Sequence, residues 1–292
     1  MSAPVEIRLP LAGGELAALS WPNPGAPRLL CLHGWLDNAA SFLPLAPLLS
    51  EFDLVALDFA GHGKSAHRPR GTHYYMLDNV FDVDAALDAL GWERCHLLGH
   101  SLGGVVACAL AAAAPERATR LVALDSIGPL SASPAHTLER LRRSLRSVRR
   151  PSRGLRDFDS IEQAAQARCA VADISAPAAG LICERALERR DGHYRWRTDP
   201  ALNWHSPLLM TEEQVLDMLG GIRAPTLTIH ALPLSSWTDE ETVQRRFRAV
   251  PDCISESVEG NHHFHMDIPD RIAPWINRFL TASEALHERS QA

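Results

Sequence analysis

The residues with the clearest chemical capacity are Gly99-His100-Ser101-Leu102-Gly103, which follow the pattern G-x-S-x-G. The pattern lies between the apolar run CHLL and an alanine-rich helical segment, so it joins a strand to a helix. Such a turn accepts only small residues two positions before and after the serine, and Gly99 and Gly103 meet that requirement. We therefore predict that Ser101 is a nucleophile. The Leu102 amide, at the N-terminus of the helix, would stabilise developing negative charge.

A serine hydroxyl is a weak nucleophile near neutral pH and needs a neighbouring base. His262, His263 and His265 compete for that role in the segment GNHHFHMDIP near the C-terminus. Together with Asp267 they could instead bind a metal. Zinc usually takes ligands from separate segments or from one helical face, however, and no second group of Cys or His residues accompanies these four. We therefore predict a base without a metal.

The elements that must position these residues indicate an α/β fold. The runs LLCL, LVAL and HLLG are apolar at consecutive positions, as in strands buried on both faces, and helical segments separate them. This alternation predicts a mostly parallel sheet flanked by helices. Between about residues 128 and 210 the strand pattern disappears, and Leu138, Leu141, Leu145 and Val148 recur at helical spacing. We predict a core of residues 1–127 and 211–292, with residues 128–210 inserted as a helical cap.

Composition limits the class of protein. A chain of 292 residues that is 46% hydrophobic and 22% charged can bury a full core. Its net charge of −6 argues against nucleic-acid binding, although fourteen of its 29 Lys and Arg residues lie between Arg140 and Arg197. Those arginines form solvated helix faces, or they attract anionic substrates such as acyl-CoA, or a membrane surface.

The sequence also predicts in which cellular compartment the protein resides. It has no apolar run long enough to span a bilayer, and the segment MSAPVEIRLP does not have the pattern of a signal peptide. The six cysteines form no CxxC pair and several lie in apolar runs, which is typical of free structural thiols in a reducing compartment. We expect a cytoplasmic protein without an integral membrane segment.

Three segments, HGWLDNAASFLPLAPLL, DLVALDFAGHGKS and LLGHSLGG, resemble the α/β-hydrolase family, particularly its branch of serine-hydrolase-like esterases. The resemblance covers most of the chain. It implies that the Trp35 amide is a second oxyanion donor beside that of Leu102, and that His33 braces this loop. It also implies that His262, at the family's spacing before Pro269, is the base, with His263 as the fallback.

The imidazole also needs a carboxylate, which fixes its tautomer and stabilises the imidazolium. In most of the resembled family this acid follows the strand that reads PTLTIH here, but the first carboxylate in that loop is Asp239. Asp125 closes the run LVALD on the strand after the nucleophile helix, and some relatives, including haloalkane dehalogenases, keep their acid there. We predict Asp125 as the acid and Asp239 as the alternative.

The expected function is hydrolysis of a small or medium carboxylic ester through an acyl-enzyme, without a metal or an organic cofactor. Thioesterase or carbon–carbon hydrolase chemistry could use the same residues. The vacant acid position after PTLTIH also suggests a different class, a degenerate hydrolase that binds a ligand without turnover. Phe158, Trp196 and Trp204 of the insertion are candidates to line the pocket for a small-molecule ester.

Overall fold

A computed structural model describes residues 3–149, 156–234 and 239–282 of the chain. The strands are Val5–Leu11 (β1), Gly14–Trp21 (β2), Arg28–Leu32 (β3), Asp53–Leu57 (β4), Cys95–His100 (β5), Ala118–Leu124 (β6), Leu187–Arg190 (β7), His193–Trp196 (β8), Thr226–Leu232 (β9) and Cys253–Glu259 (β10). Eight of them form the main sheet, in the spatial order β1-β2-β4-β3-β5-β6-β9-β10. Strands β7 and β8 form a separate hairpin.

The main sheet is mostly parallel, as the sequence predicts. Strand β1 pairs antiparallel with β2, and β2 with β4, whereas the other pairings in this sheet are parallel. Successive side chains of a strand point to opposite faces, so consecutive apolar residues are all buried only where both faces are covered. In β3, Leu30 and Leu32 belong to one apolar cluster, and Leu29 and Cys31 to the cluster on the other face.

Helices cover both faces of the sheet. The α-helices in the described residues are Met76–Ala89 (α1), Leu102–Ala113 (α2), Thr137–Arg149 (α3), Ile161–Cys169 (α4), Ala176–Ala186 (α5), Glu212–Gly220 (α6), Glu240–Ala249 (α7), Phe264–Asp267 (α8) and Pro269–Thr281 (α9). Helices α1, α2 and α6 bury Val83, Val106 and Leu219 in one cluster. Helix α9 buries Ile276 and Phe279 in the cluster on the opposite face. This arrangement is the predicted α/β architecture.

The chain between β6 and α6 forms the inserted segment, residues 128–210, of which residues 150–155 lie outside the described part. It contains α3, α4, α5 and the hairpin β7–β8. It has its own apolar cluster, to which α8 adds one residue: Phe158, Ala164, Ala165, Ile174, Ala178, Ala179, Ile182, Cys183, Leu187 and Met266. The inserted segment therefore packs partly on itself and partly on the chain that follows β10.

The sequence predicts no strand in the inserted segment, and this prediction is wrong. Strands β7 and β8 pair antiparallel, with Leu187 opposite Trp196. Their turn contains Asp191 and Gly192, which have φ angles of 52° and 86°. An Asp-Gly pair favours the two-residue hairpin turn because both residues tolerate positive φ. Each strand has only four residues, too few for an alternating pattern to be recognised.

The cysteines are free thiols, which confirms the sequence prediction. All six are unpaired, and four of them are buried: Cys31, Cys95, Cys108 and Cys183. Burial raises the pKa of Cys95 to about 12, so this thiol stays protonated at neutral pH. Among the described residues, no helix combines the length and the apolar character that a bilayer crossing requires.

Candidate active site

Ser101 lies at a sharp turn between β5 and α2. Its backbone has φ 50° and ψ −116°, a conformation that costs a residue other than glycine about 1–3 kcal/mol. The Ser101 N–H donates to the Leu124 carbonyl of β6 at 3.0 Å, which holds the turn at the carboxyl edge of the sheet. A Cβ on Gly99 would lie 2.3 Å from the Gly103 backbone, and a Cβ on Gly103 would lie 2.0 Å from the Leu32 carbonyl oxygen. The close approach of these backbones requires both glycines.

Backbone strain is concentrated at this edge of the sheet. Four described residues other than glycine have positive φ, and three of them, Leu36, Ser101 and Asp125, follow β3, β5 and β6. These strands are neighbours in the sheet, so their carboxyl ends lie side by side. Unfavourable backbone conformations persist only where the surrounding structure enforces them, and they concentrate at functional sites. The edge beyond β3, β5 and β6 is therefore the candidate active site.

The structure brings Asp125 and His262 together. Asp125 Oδ2 lies 2.5 Å from His262 Nδ1, and Asp125 Oδ1 accepts the Ala231 N–H at 2.9 Å. The Asp125 side chain is 3% exposed and that of His262 is 12% exposed. Burial raises the pKa of Asp125, but the hydrogen bond and charge of His262 outweigh burial and hold this pKa below its ordinary value. The carboxylate is therefore ionised and accepts the Nδ1 proton of the imidazole.

A neighbouring histidine connects the loop of His262 to the turn that carries Ser101. His100, which directly precedes Ser101, donates its Nε2–H to the His262 carbonyl oxygen at 2.8 Å. The centroids of the two rings are 4.7 Å apart. Burial lowers the pKa of His100 to about 4, so the ring is neutral and carries one N–H. In the sequence, His100 was only the variable second position of G-x-S-x-G, and nothing there indicated this contact.

The alternative acid has a different position. Asp239 is exposed and precedes α7, where its Oδ1 accepts the Thr242 N–H at 2.8 Å. This contact is a standard N-terminal cap, which satisfies a helix amide without an intrahelical partner. Of the two predicted acids, the structure thus brings Asp125 to His262 and leaves Asp239 at the helix end.

The fallback base also has other partners. His263 donates its Nδ1–H to the Asp173 carbonyl oxygen at 2.8 Å and its Nε2–H to Asp37 Oδ2 at 3.3 Å. Both ring nitrogens therefore face oxygen acceptors, which favours the imidazolium. Burial lowers the pKa of His263, but the charge of Asp37 and the two hydrogen bonds outweigh it and raise this pKa above 6.5. A histidine with both ring nitrogens directed at these acceptors has no nitrogen free to remove a proton from Ser101.

Asp37 is the centre of an ion-pair network that the sequence reasoning missed. Besides His263, it binds the Arg168 guanidinium from α4 of the inserted segment. Burial raises the pKa of Asp37, but His263 and Arg168 outweigh it and hold this pKa well below its ordinary value. The network joins the loop after β3, the loop after β10 and the inserted segment. The segment HGWLDN, in which Asp37 closely follows Trp35, is the sequence signal that could have indicated it.

The same network is the arrangement in the described residues that could hold a metal ion. One ligand atom each from Asp37, His100 and His263 lie within 4.8 Å of one another. Arg168 and the imidazolium of His263, however, already compensate the single negative charge of Asp37. A divalent cation would have to displace a proton and lie beside a guanidinium. We therefore interpret the cluster as an ion-pair network.

The metal group considered from the sequence does not converge in the structure. His262 and His263 face Asp125 and Asp37, as above, while the His265 ring packs against that of His100 with centroids 4.1 Å apart. Asp267 accepts hydrogen bonds from Ser175 Oγ at 2.5 Å and from Asn261 Nδ2 at 2.6 Å. The four candidate ligands in HHFHMD thus contact separate partners and do not form one site.

The predicted oxyanion loop follows β3. His33 donates its Nδ1–H to the Gly34 carbonyl at 2.7 Å and accepts the Phe59 N–H at Nε2, at 3.0 Å. Burial lowers the pKa of His33 to about 4, so this ring is neutral and its contacts suit a bracing role. Trp35 comes next, with half of its surface exposed, directly before the strained Leu36. Leu102 is the first residue of α2, so its N–H has no acceptor within the helix.

The inserted segment contacts both loops of the candidate site. Asp173 Oδ2 accepts the His262 N–H at 3.2 Å, and Asn38 Nδ2 donates to the Ile182 carbonyl at 2.9 Å. Arg168 adds its ion pair with Asp37. These contacts fix the inserted segment beside the loops that carry the predicted base and the predicted oxyanion donors.

The three aromatic residues considered for a substrate pocket have packing partners elsewhere. Phe158 is buried in the apolar cluster of the inserted segment, where its ring lies 5.8 Å from that of Trp196. Trp204 packs against His73, with centroids 5.3 Å apart. Phe158 and Trp196 therefore stabilise the inserted segment itself.

Known proteins resemble this chain over its length. The family model for the alpha/beta hydrolase fold matches residues 27–153. A serine hydrolase-like protein of Danio rerio is 31% identical, over 98% of this chain and 91% of its own. The crystal structure of a hypothetical protein from Pseudomonas aeruginosa PAO1 is 35% identical with a TM-score of 0.88, covering 97% of this chain and 99% of that one. A thioesterase domain from the curacin biosynthetic pathway is 25% identical with a TM-score of 0.82, covering 94% of this chain and 99% of that domain.

The fold, the strained serine turn and these relatives define the class. The chain belongs to the α/β-hydrolase-fold family and is a hydrolase similar to the serine hydrolase-like proteins.

Proposed function

We propose that the protein hydrolyses a small or medium carboxylic ester through an acyl-enzyme intermediate. The observation that carries this proposal is the 2.5 Å contact between Asp125 and His262, on a loop that His100 fastens beside Ser101. A nucleophile, a base and an acid are the parts that this mechanism needs.

In the first step Ser101 Oγ attacks the carbonyl carbon of the ester, and His262 Nε2 takes the hydroxyl proton. Asp125 keeps the other ring proton on Nδ1, which leaves Nε2 as the acceptor, and its charge stabilises the imidazolium that forms. The ionised state of Asp125 supports this role, because a neutral carboxyl group would supply no such charge.

The negative charge that develops on the carbonyl oxygen falls between the Trp35 and Leu102 amides. The Leu102 amide has the dipole of α2 behind it, which favours an anion at this end of the helix. When the tetrahedral intermediate collapses, His262 returns its proton to the leaving alcohol. Water then attacks the acyl group on Ser101 with His262 again as the base, which releases the carboxylic acid and restores the serine.

We further propose that residues 128–210 act as a cap over a core of residues 1–127 and 211–292. The contacts of Asp173 with His262 and of Arg168 with Asp37 support this division, because they join the inserted segment to the loops beside the nucleophile. A cap at this position would exclude water and select the acyl group. The six free cysteines also support a reducing compartment such as the cytoplasm.

Thioester hydrolysis is the second candidate, because it uses the same three residues and because a thioesterase domain is among the similar structures. A degenerate hydrolase that binds without turnover is less well supported. That hypothesis was based on the missing carboxylate directly after PTLTIH, but in the structure Asp125 lies beside His262.

A fluorophosphonate probe tests the proposal, since it labels only an activated serine. We expect labelling of the wild type and none of Ser101→Ala. Ser126→Ala is the matched control, because Ser126 follows the neighbouring strand and should leave labelling intact. Hydrolysis of p-nitrophenyl esters and of matched N-acetylcysteamine thioesters would then rank the two candidate substrates. Equal labelling of the wild type and Ser101→Ala would exclude the serine mechanism.

A further inference from the structure

Helix α3 contacts the protein through a few polar residues and leaves its apolar residues exposed to solvent. Ser144 is buried, Ser147 Oγ accepts the His205 N–H at 3.1 Å, and Arg140 is half-buried. These residues lie on one face of the helix, at helical spacing. An adjacent face carries four exposed apolar residues: Leu138 (57% exposed), Leu141 (44%), Leu145 (50%) and Val148 (37%). We call this set the α3 stripe.

The exposure of the α3 stripe is unusual for a surface helix in an ordinary globular protein. Such a helix buries its apolar stripe against the core and turns its polar side to water. Contiguous exposed apolar side chains usually mark a contact with another surface. Leu130 and Leu208, in the same inserted segment, are also exposed.

The charged residues beside the α3 stripe indicate what kind of surface would bind it. Helix α3 contains five arginines and one acidic residue, Glu139. At 100° per residue, Arg142, Arg146 and Arg149 follow one border of the α3 stripe. All three are exposed, and none of them forms an ion pair with another described residue. A partner for this face must supply both apolar groups and negative charge.

We propose that α3 is an interfacial helix that docks the protein on an anionic lipid surface. The apolar side chains of the α3 stripe would insert among the lipid acyl chains, and the arginines along its border would pair with the lipid phosphates. A second copy of the chain fits less well. It would bring the same arginines to the same border, with only Glu139 to compensate them. The proposal does not depend on ester hydrolysis.

Vesicle sedimentation tests the proposal with the full-length chain. The probes are vesicles of phosphatidylcholine alone and vesicles that also contain phosphatidylglycerol. We expect the wild type to bind the anionic vesicles, less so as salt is added, and to bind neutral vesicles weakly. Leu141→Gln with Leu145→Gln, and separately Arg142→Gln with Arg146→Gln, should each reduce partitioning at least tenfold. An arginine near an anionic surface strengthens binding roughly fivefold.

Two matched controls separate α3 from a general effect of surface substitutions. Leu77→Gln with Phe81→Gln removes exposed apolar residues at the same spacing on α1, a helix that also carries acidic residues. Arg189→Gln with Arg190→Gln removes exposed arginines from β7. Both controls should bind vesicles as the wild type does. Because the substituted α3 side chains are exposed, those variants should keep the wild-type melting temperature and hydrolyse a water-soluble ester at the wild-type rate.

Three results would overturn the proposal. The first is a wild type that does not sediment with anionic vesicles. The second is α3 variants that bind as well as the α1 and β7 controls. The third is a wild type that dimerises in solution, loses the dimer on Leu141→Gln with Leu145→Gln, and binds no vesicles, which would make the α3 stripe a contact between copies.

Discussion

Replacement of Asp125 by asparagine should greatly lower kcat and leave the fold intact. In the wild type, Asp125 Oδ1 accepts the Ala231 N–H and Oδ2 accepts the Nδ1 proton of His262. Only the oxygen of an asparagine side chain can accept, so it would stay with the Ala231 N–H. The amide nitrogen would then face His262 Nδ1 as a donor, and the ring proton would have to move to Nε2. The imidazole in that tautomer cannot take a proton from Ser101.

The expected loss follows from this change of tautomer. We expect kcat to fall by between about a hundredfold and ten-thousandfold, which is at least about 2.7 kcal/mol of transition-state stabilisation. KM should change little, because Asp125 acts on the substrate only through His262. The fold should remain, because the backbone contact to Ala231 is kept.

Steady-state hydrolysis of a p-nitrophenyl ester, with circular dichroism as the check of folding, measures this effect. Asp239→Asn is the matched control. Asparagine caps a helix about as well as aspartate does, so neither stability nor kcat should change. The reasoning would be refuted if Asp239→Asn lowered kcat and a folded Asp125→Asn kept it.

Two further predictions concern the structure around the site. Gly99→Ala should destabilise the protein by about 1–3 kcal/mol or more, because its Cβ would lie 2.3 Å from the Gly103 backbone. Gly180→Ala in α5, where a Cβ would meet nothing within 4 Å, should instead stabilise by about 0.5–1 kcal/mol, and urea unfolding compares the two. His263→Gln should change the dependence of stability on pH. Burial lowers the pKa of His263 but Asp37 raises it above 6.5 in the folded state, so its contribution is complete below pH 6.5 and disappears as pH rises through the folded pKa. The stability difference between wild type and His263→Gln should therefore shrink in alkaline solution, and a difference that is constant with pH would contradict the ion pair with Asp37.

Local sequence determined most of the architecture and the tight turn that carries Ser101. Consecutive apolar residues predicted strands covered on both faces, and β3, β4, β5 and β6 have that character. The glycines around Ser101 predicted the tight turn because the steric constraint acts over five neighbouring residues. The hairpin β7–β8 was not predicted because its strands are short, although the sequence contains the Asp-Gly pair of its turn.

Only the tertiary structure decided which distant residues meet. Asp125 and His262 are 137 positions apart, and the spacing before Pro269 that favoured His262 does not specify which carboxylate this ring meets. The sheet brings these two residues together, because it aligns the ends of β6 and β10 at the edge that carries Ser101. The same holds for α3. Its periodicity showed that Leu138, Leu141, Leu145 and Val148 share a face, but the spacing of residues along a helix does not specify which side faces the protein. That depends on what the rest of the chain places beside the helix, and here the structure turns Ser144 inward and the leucines to solvent.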